Sequence, residues 1–233
     1  MNSRKKIVVL TGAGISAESG ISTFRGSDGL WEGHDIMEVA SPEGWIKNEK
    51  LVLDFYNLRR RQLKEVEPNA AHISLVDLEA KFDLHIITQN VDDLHERAGA
   101  QNVLHLHGEL RKIRSTINAQ DVKIWEDDLN LGDLCALGSQ YRPHIVWFGE
   151  AVPMIEKAIS IISDAEIVII IGTSMQVYPA ASLIAYAPLL SKTFYIDPSP
   201  TMNYELDSRE IQIIQRTAVS GVPNLVKELI DRY

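Results

Sequence analysis

"KIVVLTGAGISAESG", residues 6–20, decides the fold. Four apolar residues, Ile7 to Leu10, run without alternation, the pattern of a strand buried on both faces. Gly12-x-Gly14 follows at once, and Ala17 comes three positions later. The first glycine permits a tight turn, the second lets a pyrophosphate approach the backbone, and Ala17 lets the expected helix pack close to the sheet. The N-terminus of that helix would favour an anion. Strand, glycine turn and helix together predict the opening unit of a nucleotide-binding α/β fold.

Further strands are expected at "LHIIT" (84–88), "VLHL" (103–106), "IVWF" (145–148), "EIVIII" (166–171) and "TFYI" (193–196). Helical patterns lie between or after them, over 69–82, 154–163 and 222–232, the last with Pro223 near its start. This alternation predicts a doubly wound, parallel, Rossmann-like sheet. Residues 24–65 hold two helical segments and a Gly-rich loop without a convincing strand, and 111–143 are polar. Both read as insertions that build a second, smaller domain.

The 233 residues are 45% hydrophobic and 24% charged, which suits an ordinary globular chain with a full core. A net charge of −9 argues against nucleic acid as a partner, since nothing gathers enough cation to neutralise a phosphate track. One cysteine, Cys135, excludes an internal disulfide framework and points to a reducing compartment. Only about four apolar residues follow the basic ones near the start, too few for a secretory h-region, and no run reaches membrane-spanning length. A cytoplasmic protein without a membrane partner is expected.

A dinucleotide dehydrogenase would need an acidic residue closing a second strand about twenty positions after the glycines, and none is there. Other blocks point elsewhere. "GAGISAESGISTFRG" (12–26), "TQNVDDLHERAG" (88–99), "HLHGEL" (105–110), "RPHIVWFGE" (142–150) and "IGTSMQVYPAA" (171–181) occur in that order. Together they resemble the sirtuins, NAD-dependent protein-lysine deacylases, and in particular the bacterial CobB-like branch. The likeness spans nearly the whole chain except about 114–141.

The resemblance implies an NAD-binding domain from residues 1–23, 66–110 and 144–233, and a small domain from 24–65 and 111–143. Gly12, Ala13, Gly14 and Ser16 would cradle the NAD pyrophosphate, and Phe24 and Arg25 would close over the nicotinamide ribose. Gln89, Asn90 and Asp92 would line the ribose and nicotinamide pocket, with Asn90 and Asp92 counted among the catalytic residues. Gly172, Thr173 and Ser174 would hold the adenosine side, together with Asp197 in "YID". Val146, Phe148, Gly149 and Glu150 would face Val177 and Tyr178 across an acylated-lysine peptide added as a strand. His107 would be the general base, a role that suits an imidazole because its ordinary pKa of about 6.5 lies near the working pH.

The residues also allow plainer readings. "HLH" at 105–107 could be half a metal site, because alternate strand residues share a face. Beside the glycine turn and "TQNVD" the base role for His107 is preferred, and His105 is taken as structural. His72, His85 and His95 read as surface or capping residues, and Asp92 could cap the helix of "DLHERA".

Members of the family usually carry four zinc-binding cysteines between 111 and 143. Here only Cys135 remains, and Ser115 stands where the first would be expected. No zinc is expected. Ile113, Ile117, Val122, Ile124, Trp125, Leu129, Leu131, Leu134 and Leu137 are candidates for an apolar cluster that offsets the missing metal.

"DFYNLRRRQL" (54–63) places Tyr56 and Arg59 one helical turn apart, beside a stripe of Leu51, Phe55, Leu58 and Leu63. In one sirtuin branch a Tyr-x-x-Arg pair here recognises the distal carboxylate of succinyl- or malonyl-lysine, and "YNLR" matches it. Ala40 would leave pocket room. Arg60 and Arg61 read as a solvated face paired with Glu49 or Glu65. The expected activity is removal of succinyl, malonyl and acetyl groups, yielding nicotinamide and O-acyl-ADP-ribose. Protein mono-ADP-ribosyltransfer by the same NAD cleavage is the alternative. A non-catalytic NAD-sensing module fits less well, because His107 and the whole "QNVD" block are present.

Overall fold

The computed structural model describes residues 4–22, 30, 31 and 33–233. Strand β1 (Lys6–Thr11) is followed by two short antiparallel strands, β2 (Leu30–Trp31) and β3 (His34–Asp35), and helices α1 (Ile36–Val39), α2 (Pro42–Lys47) and α3 (Glu49–Leu63). Next come α4 (Ala70–Asp77), β4 (Asp83–Thr88), α5 (Leu94–Arg97) and β5 (Val103–His105). Strands β6 (Gly108–Ser115), β7 (Val122–Ile124) and β8 (Tyr141–Ile145) form an antiparallel sheet in the order β7-β6-β8. The chain ends with α6 (Ile155–Ile162), β9 (Ile167–Ile171), β10 (Lys192–Ile196), α7 (Tyr204–Asp207), β11 (Ile211–Ile214) and α8 (Ala218–Arg232).

Six strands build one parallel sheet in the order β11-β10-β9-β1-β4-β5. Along β1 the side chains alternate between two cores. Ile7 and Val9 pack with Leu75 of α4 and Leu225 and Leu229 of α8, whereas Val8 and Leu10 pack with Ala158 and Ile162 of α6 and with Leu183. Burial on both faces explains the unbroken apolar runs, and the strand order is that of the doubly wound Rossmann type.

Residues from both insertions share a third core. Val52, Phe55 and Tyr56 of α3 meet Ile113, Leu129, Cys135 and Tyr141, together with Trp45 and Trp147. Helix α3 begins where the Asn48 side chain accepts a hydrogen bond from Leu51 N at 3.1 Å. Its buried face runs through Val52, Phe55, Tyr56, Arg59 and Leu63, a helical stripe rotated from the expected one, and Leu58 is exposed.

Several expectations need correction. The segment after Gly12 is not an α-helix but two 3-10 turns, Ala13–Ile15 and Ala17–Ser19, with Gly20 left-handed at φ 99°. Strand β8 ends at Ile145, so Val146, Trp147 and Phe148 leave the sheet. The polar stretch after 108 holds three strands, and β11 was not foreseen. The offsetting apolar cluster is mostly absent: Ile117, Val122, Ile124, Leu131, Leu134 and Leu137 are exposed, while Ile113 and Leu129 are buried and Trp125 partly so. Arg60 is 1% exposed rather than solvated. Arg61 does lie at the surface, but it pairs with Asp128.

Candidate active site

The loops that follow β1 and β9 cross where the strand order reverses, the place at which open α/β sheets bind ligands. Gly14 N donates to Gly172 O at 2.8 Å. A Cβ on Gly14 would lie 2.6 Å from Gly172 Cα, and Gly172 has φ +59°, so the crossing requires both glycines. Beside it opens a cleft of ≈ 260 Å³.

Most of the expected residues converge there. Gly12, Ala13, Gly14, Gln89, Asn90, Asp92, His107, Val146, Phe148, Gly149, Glu150, Gly172, Thr173, Ser174, Val177 and Tyr178 all line the cleft. Tyr56 lines both the cleft and an adjoining recess of ≈ 50 Å³, which Arg59 also lines. Two residues lie behind the wall. Ser16 is fully buried, and Asp197 is buried at the end of β10, where it accepts a hydrogen bond from Ser199 N at 2.8 Å. Phe24 and Arg25 fall outside the described residues.

A buried hydrogen-bond network sets the cleft floor. Ser16 Oγ donates to Asp92 Oδ2 at 2.9 Å and accepts from Asn90 Nδ2 at 3.2 Å. Asp92 Oδ1 also takes Leu94 N at 3.2 Å. Burial pushes the Asp92 carboxyl up, against these two bonds. Gln89 Nε2 donates to Thr173 Oγ1 at 2.9 Å, which joins the loop after β4 to the loop after β9.

His107 faces the cleft with Nδ1 3.1 Å from Gln89 O. A carbonyl can only accept, so Nδ1 carries the proton and Nε2 keeps its lone pair. Burial lowers the His107 pKa, opposed by that carbonyl, so the ring is neutral at pH 7. His105 differs. Burial would lower it, but Glu96 at 2.8 Å and the Asn90 carbonyl raise it overall, a structural arrangement.

His72 and His95 are buried, not superficial. His72 Nδ1 accepts from Asn69 N at 3.3 Å, which completes the helix cap, and its Nε2 lies 3.4 Å from Ser16 Oγ. Burial lowers its pKa to about 4. His95 Nε2 lies 3.1 Å from Thr11 Oγ1. His85, with Nε2 3.2 Å from Asp83 Oδ1, matches the surface reading, and His72 the capping one.

Glu150 lines the cleft, yet its carboxylate is engaged. It accepts from Arg142 Nη1 at 2.7 Å, Arg114 Nη2 at 3.0 Å and Trp147 N at 2.8 Å. Trp147 and Trp31, which the sequence did not single out, border the Tyr56 side of the cleft.

Amides, hydroxyls, carboxamides and a neutral imidazole around a glycine floor suit a phosphorylated dinucleotide, because the carboxylates of the lining are already engaged, Asp92 by Ser16 and Leu94 and Glu150 by Arg142 and Arg114. The small sheet does not suit zinc. Cys135 Sγ accepts from Ser115 Oγ at 3.3 Å, and no group of three or more His, Cys, Asp or Glu able to hold a metal occurs among the described residues. Among those residues, too, no helix is long and apolar enough to cross a membrane.

Comparison with known proteins agrees with this geometry. The profile of the Sir2 family matches residues 12–179. A Helicobacter pylori protein named NAD-dependent protein deacylase is 59% identical over 227 residues, covering 97% of this chain and 98% of that one. A Bacteroides thetaiotaomicron protein of the same name is 48% identical over 232 residues, covering 97% and 98%. The solved structure of a Sir2 homolog–NAD complex has a TM-score of 0.87 at 37% identity, covering 98% of this chain and 90% of that one. A Sir2 mutant with a p53 peptide and NAD has a TM-score of 0.78 at 28% identity, covering 100% and 96%.

Proposed function

Because the chain belongs to the Sir2 family, we propose that it is an NAD-dependent protein-lysine deacylase that removes succinyl, malonyl and acetyl groups. With one water consumed, its products would be nicotinamide, free lysine and O-acyl-ADP-ribose. The carrying observation is the recess containing Tyr56 and Arg59, which adjoins the cleft that holds His107. NAD, when bound, supplies a ribose carbon that exchanges nicotinamide for the acyl oxygen.

The chain's own residues prepare that exchange. Gly12, Ala13 and Gly14 give the pyrophosphate a backbone surface, and Thr173 and Ser174 take the adenosine side. Asn90, held by Ser16, and Gln89, held by Thr173, fix the floor on which ribose and nicotinamide would rest. Nε2 of His107 takes the proton of a ribose hydroxyl. The peptide lies between 146–149 and 177–178 as an added strand. The Arg59 guanidinium, 4.5 Å from the Phe55 ring centroid, offers a planar fork to a distal carboxylate, whereas acetyl leaves that end of the recess empty.

Mass spectrometry with NAD and acylated peptides tests this. Loss of acyl mass with equimolar nicotinamide is expected, and a gain of ADP-ribose on protein would favour the transferase alternative instead. Arg59→Met should lower kcat/KM for succinyl-lysine by about ten- to a hundredfold, the worth of one charge-assisted contact. Deacetylation should fall far less, and equal losses would remove Arg59 from the recognition of the acyl group.

A further inference from the structure

The recess has a back wall with a polarity of its own. Trp147 is 2% exposed, and its Nε1–H donates to the Tyr56 hydroxyl at 3.1 Å. Tyr56 is fully buried, and burial pushes its pKa well up, so the phenol keeps its proton. Among the described residues that hydroxyl accepts from Trp147 and donates to none. A phenol has a single proton to give, and the indole N–H forces it to point away from Trp147.

The tryptophan is itself clamped. Arg142 Cζ stands 3.2 Å from the indole centroid, and Arg142 Nη1 and Nη2 reach Glu150 at 2.7 and 3.1 Å. Arg142 Nη2 also donates to Ile145 O at 3.0 Å, and Glu150 accepts Trp147 N. Indole, guanidinium and carboxylate form one rigid block.

Resting on the deacylase reading above, we propose that Trp147 is a specificity-determining positioning residue. Its indole N–H occupies an acceptor position of the Tyr56 hydroxyl and turns the phenol proton away from the indole, so the recess favours acyl chains that end in an acceptor such as a carboxylate. Arg142 and Glu150 hold the indole in the plane this requires. Trp147 also sits between Val146 and Phe148, so the block couples acyl recognition to the segment that would bind the peptide.

The test is steady-state kinetics on succinyl and acetyl peptides of one sequence, for wild type, Trp147→Phe, Tyr56→Phe and the double variant. Trp147→Phe keeps a ring under Arg142 and removes the donor with part of the indole's volume, a packing loss that both substrates share. The succinyl KM should rise about three- to tenfold relative to the acetyl KM, with kcat changing in step for both substrates. The double variant should lose no more than Tyr56→Phe alone, because both act through one hydroxyl. Glu150→Gln should shift the ratio in the same direction by a smaller factor, which covers a Trp147→Phe that folds poorly. Equal losses on both substrates, or losses that add, would overturn the role of Trp147. A wild type that removes acetyl but never succinyl would overturn the parent reading as well, and it is distinguishable because it is seen before any variant is made.

Discussion

His107 donates from Nδ1 to the Gln89 carbonyl and is held below its ordinary pKa by burial. A base works only when unprotonated, so kcat/KM should fall as pH drops through the folded pKa, and the midpoint of that acid limb should lie below 6.5. His107→Tyr should abolish turnover while NAD binding, measured by calorimetry, persists; retained turnover would remove the base assignment. The placing of His107 in the cleft was expected from its sequence block, although its partner Gln89 lies 18 positions away. The three arginines show the opposite case. Arg59 lines the recess, Arg61 pairs with Asp128, and Arg60 bonds the carbonyls of Leu110 and Asp127, which lie 50 and 67 positions away. Identical side chains received three fates from partners that no local pattern reveals.

The strands of the main sheet were readable because each central one is covered on both faces and needs apolar residues throughout. Edge strand β11 escaped because it is only partly covered, leaving Gln212 and Ile213 exposed. The turn after β1 was placed correctly but given the wrong helix type. The crossing of that turn over Gly172 sets an element-scale expectation. Gly172→Ala would put a Cβ 2.5 Å from Gly14 C, at a φ of +59° that side chains rarely adopt. Both loops would have to part, so NAD affinity should fall at least about tenfold and stability by roughly 1–3 kcal/mol. Calorimetric titration and urea melts check the two losses, and wild-type affinity would show that the crossing is not needed.

On the scale of the whole molecule, α3 and the small sheet are joined by a smaller apolar core than the sequence suggested, in which Phe55 and Tyr56 meet Ile113 and Leu129, and by polar bonds beside it. Asn57 accepts from Leu129 N at 2.8 Å and donates to Leu129 O at 2.9 Å, and Arg60 Nη1 adds a bond to Asn57 Oδ1 at 2.7 Å. Such cross-links are set by tertiary placement, so hydropathy could not foretell them. Asn57→Ala should cost roughly 2–4 kcal/mol by leaving Leu129's backbone groups and Arg60 without their partner. A chelator should leave the melting temperature unchanged, and elemental analysis that finds stoichiometric zinc would contradict this account. Thiolate-bound zinc fails in two familiar circumstances, scarcity of the ion and peroxide attack on the sulfurs. A sheet braced by carboxamide and guanidinium, with its lone thiol tucked against a serine, offers neither insult a thiolate cluster to attack, so its scaffold should outlast metal starvation and peroxide.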